Sequence, residues 1–169
     1  MIVQTIYECR CHHPFDADEL KEFADAARAH NIANGVTSFL VCEGDRLLQV
    51  VEGGTDAVTL TMRRITLDKR LRDVKVRLMT RRRARVFSSW ALGVVDKDDR
   101  EFRRILKNLN HKSVFDLNIL DALKLMKRVS GRKYRVMDIL ERREQNTRPR
   151  ALKAKSGLSL NEEIIGLRC

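Results

Sequence analysis

The chain has 169 residues, of which 43% are hydrophobic and 34% are charged. This length and balance fit one domain with an appendage, or at most two small domains, and exclude a disordered chain. No apolar run approaches the roughly 18 residues that a membrane-spanning helix needs, and no signal peptide is visible. A cytoplasmic location without membrane association is therefore expected.

The first segments in chain order predict a strand, a helix and a second strand. Ile2 to Cys9 is rich in β-branched and aromatic residues, which is typical of a strand. Asp16 followed by Glu19 resembles a capping box, and the helix that it starts should run to about His30. After Asn34-Gly35, the mostly apolar run from Val36 to Cys42 indicates a strand buried on both faces.

Two further strands and a second helix follow, and a last strand closes the set. Leu47 to Val51 forms a predicted hairpin with the preceding strand, and Thr55 can cap the second helix. The apolar residues of the next strand, Val74 to Leu78, alternate with Lys and Arg and should share one face. Trp90 to Val95 is the last predicted strand.

The predicted order βαββαβ(β) is that of a ferredoxin-like α+β fold, with two helices on one face of the sheet. Apolar stripes after Asp96 predict C-terminal helices, which would cover the open sheet face or contact a second subunit. The predicted domains are residues 1–96, a helical extension at 97–146, and a basic, flexible tail at 147–169.

The net charge of +11 is unevenly distributed. Residues 1–96 contain 15 Lys and Arg against 13 Asp and Glu, whereas residues 97–169 contain 19 against 10. The basic C-terminal part indicates either solvated helix faces or contact with an acidic partner such as nucleic acid. Both interpretations stay open from the sequence.

The segment Cys9-Arg10-Cys11-His12-His13 contains residue types that bind metals. Its spacing differs from the usual Cys-x2-Cys pattern, and no second ligand pair follows. We therefore predict no metal site, and we expect Cys9 and Cys11 to be buried or rim thiols.

Polar side chains occur inside the apolar segments at ordered positions. Tyr7 lies in the first strand and Asn31 at the end of the first helix. Gln49 lies between Leu48 and Val50, where a buried amide requires partners. Each residue alone has an ordinary structural interpretation, so only the ordered combination points to a binding site.

In order and spacing these motifs resemble the BLUF family of blue-light sensors that use a flavin. The family pattern has Ile-Tyr in the first strand, Asn-x-x-x-Gly-(Ile/Val)-Thr after the first helix and Leu-Gln-Val-hydrophobic-Glu-Gly in the third strand. Asp-x-Arg follows the second helix, and Trp-x-Met-Gly marks the fifth strand. The match covers roughly residues 1–95.

The resemblance implies a role for each matching residue. Tyr7 matches the tyrosine that gives an electron to the excited flavin, Gln49 the glutamine between that tyrosine and the flavin, and Asn31 the asparagine that binds the flavin ring. Arg70 matches an arginine near the polar edge of the flavin, with Asp68 and Ile65 as further expected contacts.

The fifth strand supplies Trp90, which matches a tryptophan linked to the signalling state, and Leu92, which stands where the family usually has methionine. Two further departures are Ser38, in place of a glycine, and Leu71, in place of a histidine. Leu92 keeps the size and apolarity of methionine, so flavin binding is expected to survive.

The resemblance implies a blue-light photoreceptor that binds FAD, with FMN or riboflavin as alternatives, and relays its signal to a downstream protein. A homo-oligomer through the sheet face and the C-terminal helices is expected. No P-loop, Gly-x-Gly-x-x-Gly or nucleophile elbow is present, so no enzymatic activity is predicted. The alternative is a light-independent nucleic-acid-binding or scaffold protein with a vestigial flavin site, in which the basic tail makes the contact.

Overall fold

Strands and helices alternate in the order predicted from the sequence. The structure, a computed structural model, describes residues 1–88 and 92–131. Its elements are β1 (Ile2–Cys11), α1 (Ala17–Ala33), β2 (Thr37–Glu43), β3 (Arg46–Gly53), α2 (Thr55–Thr66), β4 (Leu71–Arg82), β5 (Gly93–Asp96), α3 (Arg100–Asn108) and a 3-10 turn (Val114–Asp116). A further helix, α4, covers residues 119–131. The α+β fold class and the predicted C-terminal helices are confirmed.

The sheet places β1 and β3 at its centre. Its strand order is β4-β1-β3-β2-β5, in which β5 runs parallel to β2 and the other neighbours are antiparallel. Tyr7 of β1 lies directly opposite Gln49 of β3 in this register. Two residues that are 42 positions apart in the chain therefore become neighbours in the middle of the sheet.

Local sequence determines where α1 begins and ends. Asp16 and Glu19 form the predicted capping box, since each side chain accepts a hydrogen bond from the backbone N–H of the other residue. Beyond the helix end, Gly35 has a φ of +60°, a left-handed conformation that glycine adopts without steric cost. The predicted cap of α2 was wrong, because Gly54 occupies that position and Thr55 is already helical.

The two sheet faces carry separate apolar clusters. One cluster joins β-strand residues to α1 and α2, and the other joins the opposite face to α3 and α4. The C-terminal helices thus cover the open sheet face. The expected homo-oligomer through the sheet face and the C-terminal helices stays a prediction.

A bulge in β4 changes the facing of its side chains. Ile6 pairs with Leu78 and Tyr7 with Val76, so Arg77 is an extra residue. Val74 consequently packs on the α1/α2 side and Leu78 on the opposite side, while Val76 is 47% exposed. The prediction that these three valine and leucine residues share a face was wrong, because an inserted residue inverts the alternation.

Some predictions fall outside the residues that the structure describes. Trp90 lies in the gap at 89–91, and the C-terminal residues 132–169 include the predicted tail. The division into residues 1–96, 97–146 and 147–169 therefore stays a prediction. None of the helices within the described ranges is long and apolar enough to cross a membrane.

Candidate flavin site

Tyr7 and Gln49 form the centre of the candidate site. Both side chains are buried, and the Tyr7 hydroxyl donates a hydrogen bond to Oε1 of Gln49. Burial raises the pKa of Tyr7 well above its usual value, and nearby Cys9 adds to this effect, whereas the positive charge of Arg64 opposes it. Tyr7 is therefore a neutral phenol that can donate a hydrogen bond.

Asn31 reaches the same side of the sheet from the last turn of α1. It is 2% exposed, and its Nδ2 donates a hydrogen bond to Oγ of Ser38 over 2.8 Å. Ser38 lies opposite Val51, two residues along β3 from Gln49. Residues two apart in a strand share a face, so Asn31 is held beside the Tyr7–Gln49 pair.

Asp68 and Arg70, which follow α2, form a bidentate ion pair. Arg70 Nε and Nη2 donate to the two carboxylate oxygens over 2.9 and 2.6 Å. The Arg70 hydrogen bond holds the pKa of Asp68 below its usual value. The Arg70 guanidinium also lies 4.9 Å from the ring centre of Phe23, so the pair connects the segment after α2 to α1.

Arg64 is a further candidate site residue that the sequence analysis missed. Its positive charge lowers the pKa of both Tyr7 and His30, so it lies within electrostatic reach of β1 and α1. Its Nε is buried without a hydrogen-bond partner. The signal was its position in the last turn of α2, directly before the buried Ile65.

Some polar atoms on the α1/α2 side of the sheet are buried without a hydrogen-bond partner. Within residues 1–88 and 92–131, two buried side-chain atoms have no hydrogen-bond partner, Nε of Arg64 and Oγ1 of Thr5. Such orphaned groups are costly unless a ligand satisfies them. A flavin, with an apolar ring system and polar edge atoms, fits these residues together with Asn31 and the buried Ile65.

Leu92 lies in the same apolar cluster as Tyr7 and is 2% exposed. Leu71 is also a buried member of this cluster. Leu92 and Leu71, two of the three departures from the family pattern, therefore contribute apolar packing to the α1/α2 side. Trp90, the other predicted residue of this segment, lies outside the described residues.

The cysteines near the site are buried thiols, as predicted for Cys9 and Cys11. Desolvation raises the pKa of each of these two thiols to about 12, and Cys42 is buried as well. In the parts of the chain that the structure describes, no group of three His, Cys, Asp or Glu residues could hold a metal ion.

We expect these three thiols to resist alkylation in the folded protein. Cys9 and Cys11, each with a pKa of about 12, have a negligible thiolate fraction at pH 8, and the thiolate is the reactive form. Cys42 is protected by its burial. A Cys169→Ser variant should incorporate about three iodoacetamide groups in denaturant but almost none in native buffer, measured by mass spectrometry. Rapid labelling of the native protein would contradict this burial.

The comparisons with known proteins agree with this geometry. The family described as BLUF, sensors of blue-light using FAD, matches residues 2–93, more than half of the chain. The chain therefore belongs to the BLUF family of flavin-binding blue-light sensors. No curated protein matches the chain significantly in sequence.

Solved structures that share the fold include BlsA and the BLUF protein BlrB. The photo-activated state of BlsA is 17% identical with a TM-score of 0.67, covering 77% of this chain and 95% of BlsA. The dark state of BlrB is 22% identical with a TM-score of 0.65, covering 77% of this chain and 96% of BlrB.

A larger protein shares the fold over part of its length. BlrP1 of Klebsiella pneumoniae, solved with FMN and cyclic diGMP, is 22% identical with a TM-score of 0.59. The match covers 78% of this chain and 36% of BlrP1. At these identities, the three structures establish the fold alone.

Proposed function

We propose that the hydrogen bond between Tyr7 and Gln49 is the light-responsive element of this sensor. The observation that supports the proposal is the direct contact of a buried phenol with a buried amide, next to Asn31. Membership in the BLUF family favours this hypothesis over the light-independent nucleic-acid-binding or scaffold alternative.

The residues on the α1/α2 side would hold the flavin. Asn31 and Gln49 offer amide groups to the ring, and Ile65 offers apolar contact. Arg64 and Arg70 supply positive charge for polar atoms of the ring or for phosphate. We propose FAD as the flavin, with FMN or riboflavin as alternatives.

A bound flavin supplies absorption of blue light and an excited ring that accepts an electron. Tyr7 can give both an electron and a proton, because its phenol is neutral and already hydrogen-bonded. Gln49 accepts this bond through Oε1 and has a donor at the other end of its amide. Rotation or tautomerisation of the amide reverses this pattern, so the neighbours must adjust in turn.

Contacts of the β2–β3 hairpin with the C-terminal segment support a relay from Gln49 through β3. At the start of this strand, the Arg46 guanidinium lies 3.8 Å from the ring centre of Phe115. In the same hairpin, Glu43 accepts hydrogen bonds from the Ser113 hydroxyl at 2.5 Å and the Val114 N–H at 2.9 Å. A shift in β3 would therefore displace the segment between α3 and α4. From this segment we propose that the signal passes to a downstream signalling protein, and that no substrate is turned over.

The absorption spectrum before and after blue light tests this proposal. Purified protein should be yellow, and illumination should shift the flavin band reversibly to longer wavelength, because a flavin carbonyl gains a hydrogen bond. The flavin released by heat is the matched control and should show no such shift. A colourless protein that gains no flavin on reconstitution would overturn the proposal, and mass spectrometry of the released cofactor identifies the flavin.

A further inference from the structure

Ser38 is a buried hydroxyl in the middle of the candidate site. It is fully buried on β2 and accepts a hydrogen bond from Nδ2 of Asn31 over 2.8 Å. The family pattern usually has glycine at this position, and glycine offers no side chain. The contact is therefore a feature of this chain's own sequence.

The contact restricts the carboxamide of Asn31. An asparagine side chain has one acceptor oxygen and two N–H donors on opposite ends of the amide. With Nδ2 directed at Ser38, the oxygen and the second N–H are left to face other neighbours. Since Asn31 is the last buried residue of α1, this bond also ties the end of the helix to β2.

The position of Ser38 in the sheet brings this restraint close to Gln49. Ser38 lies opposite Val51, and its strand neighbour Leu40 lies opposite Gln49. Side chains at such diagonal positions on one face are about 7–8 Å apart or less, within reach of a shared ligand. The Asn31 amide that is hydrogen-bonded to Ser38 thus faces the same region of the α1/α2 side as the Gln49 amide.

We propose that Ser38 is a positioning residue that holds the Asn31 carboxamide in one orientation toward the bound flavin. It thereby sets the dark absorption maximum and the rate of return to the dark state. This inference rests on the proposed function, because it requires a flavin beside Asn31.

The test compares Ser38→Ala with Ser130→Ala in the full chain. Ser130 is a matched control because it is 5% exposed, donates one hydrogen bond to the Lys127 carbonyl over 2.9 Å, and lies in α4 on the other side of the sheet. Both variants lose a buried hydroxyl, so both should show a similar change in the urea midpoint.

The spectroscopic measurements separate positioning from stability. Ser38→Ala should raise the dissociation constant for FAD about 3- to 10-fold, displace the dark absorption maximum, and change the recovery half-life after blue light by a similar factor. Ser130→Ala should change none of these. In an Asn31→Ala background, Ser38→Ala should have no further spectroscopic effect, because the restrained group is already absent.

Ser38→Cys keeps nearly the same volume with a weaker hydrogen-bonding group, so it replaces the alanine variant if that one does not fold. The inference is overturned if the folded Ser38 variant has the same spectra, recovery rate and FAD affinity as the unmodified protein. The proposed function still stands in that case, provided that the unmodified protein responds to light. A wild type without flavin or light response would overturn both.

Discussion

Replacing Tyr7 by phenylalanine should leave the protein yellow but abolish the light-induced spectral shift. The substitution removes only the hydroxyl that donates to Gln49 and keeps the ring in the buried centre of the sheet. Flavin binding depends on several other groups, so the dark-state colour should persist. The measurement is the difference spectrum before and after blue light, with flavin content determined from the released cofactor.

The matched control is Tyr134→Phe, the same change at the chain's only other tyrosine. This variant should keep the wild-type shift and recovery. An unchanged shift in Tyr7→Phe would show that the Tyr7 hydroxyl is not the light-responsive donor. Loss of the flavin itself would instead assign Tyr7 a part in binding.

Of the substitutions considered for this protein, Glu52→Ala should lower the free energy of unfolding most. Glu52 is fully buried on the α3/α4 side of the sheet and accepts a hydrogen bond from Gln4 Nε2 over 2.6 Å. Its carboxylate also accepts the backbone N–H groups of Val86 and Phe87, over 2.9 Å each. Removing the carboxylate leaves these buried donors without their acceptor.

We expect Glu52→Ala to lower the free energy of unfolding by about 3–5 kcal/mol, because each orphaned buried donor costs about 1–3 kcal/mol. Glu52→Gln keeps one acceptor oxygen and should lose less. Urea unfolding measures both variants. Glu22→Ala, on the exposed side of α1, is the control and should change stability by less than about 0.5 kcal/mol.

A loss below about 1 kcal/mol in Glu52→Ala would contradict the hydrogen bonding described above. The result also bears on the relay, because these bonds attach the segment after β4 to the end of Gln49's own strand. Arg85 in that segment donates to the backbone carbonyls of Glu52 over 2.7 Å and Gly35 over 2.6 Å. The segment directly after β4 is thus held by β3 and by the turn that precedes β2.

Local patterns were sufficient to predict most of the elements. The capping box at Asp16 and the left-handed Gly35 depend on residues a few positions apart, so the bounds of α1 followed from sequence. The predictions for Thr55 and Leu78 failed for a different reason. Gly54 takes the helix cap without a side-chain bond, and the bulge at Arg77 depends on pairing with β1, which no local pattern encodes.

The candidate site was predicted from a family resemblance carried by ordered motifs. Tyr7, Asn31 and Gln49 were recognised this way, and the structure places them on one side of the sheet. Their exact roles, like those of Leu92 and Trp90, stay predictions. Arg64 was missed because its importance lies in a buried, unpartnered Nε, which becomes evident only when α2 is packed on the sheet.

The sequence by itself determined the order of strands and helices, the family, and the polar residues placed within apolar segments. Periodicity, caps and motif spacing act over a few residues, so they can be read along the chain. Only the tertiary structure decided that Tyr7 donates to Gln49, that Asn31 donates to Ser38, and that Glu52 accepts the backbone N–H groups directly after β4. Most of these contacts join residues more than 30 positions apart, and Asn31 meets Ser38 across a helix–strand turn, so strand register and helix packing had to bring them together.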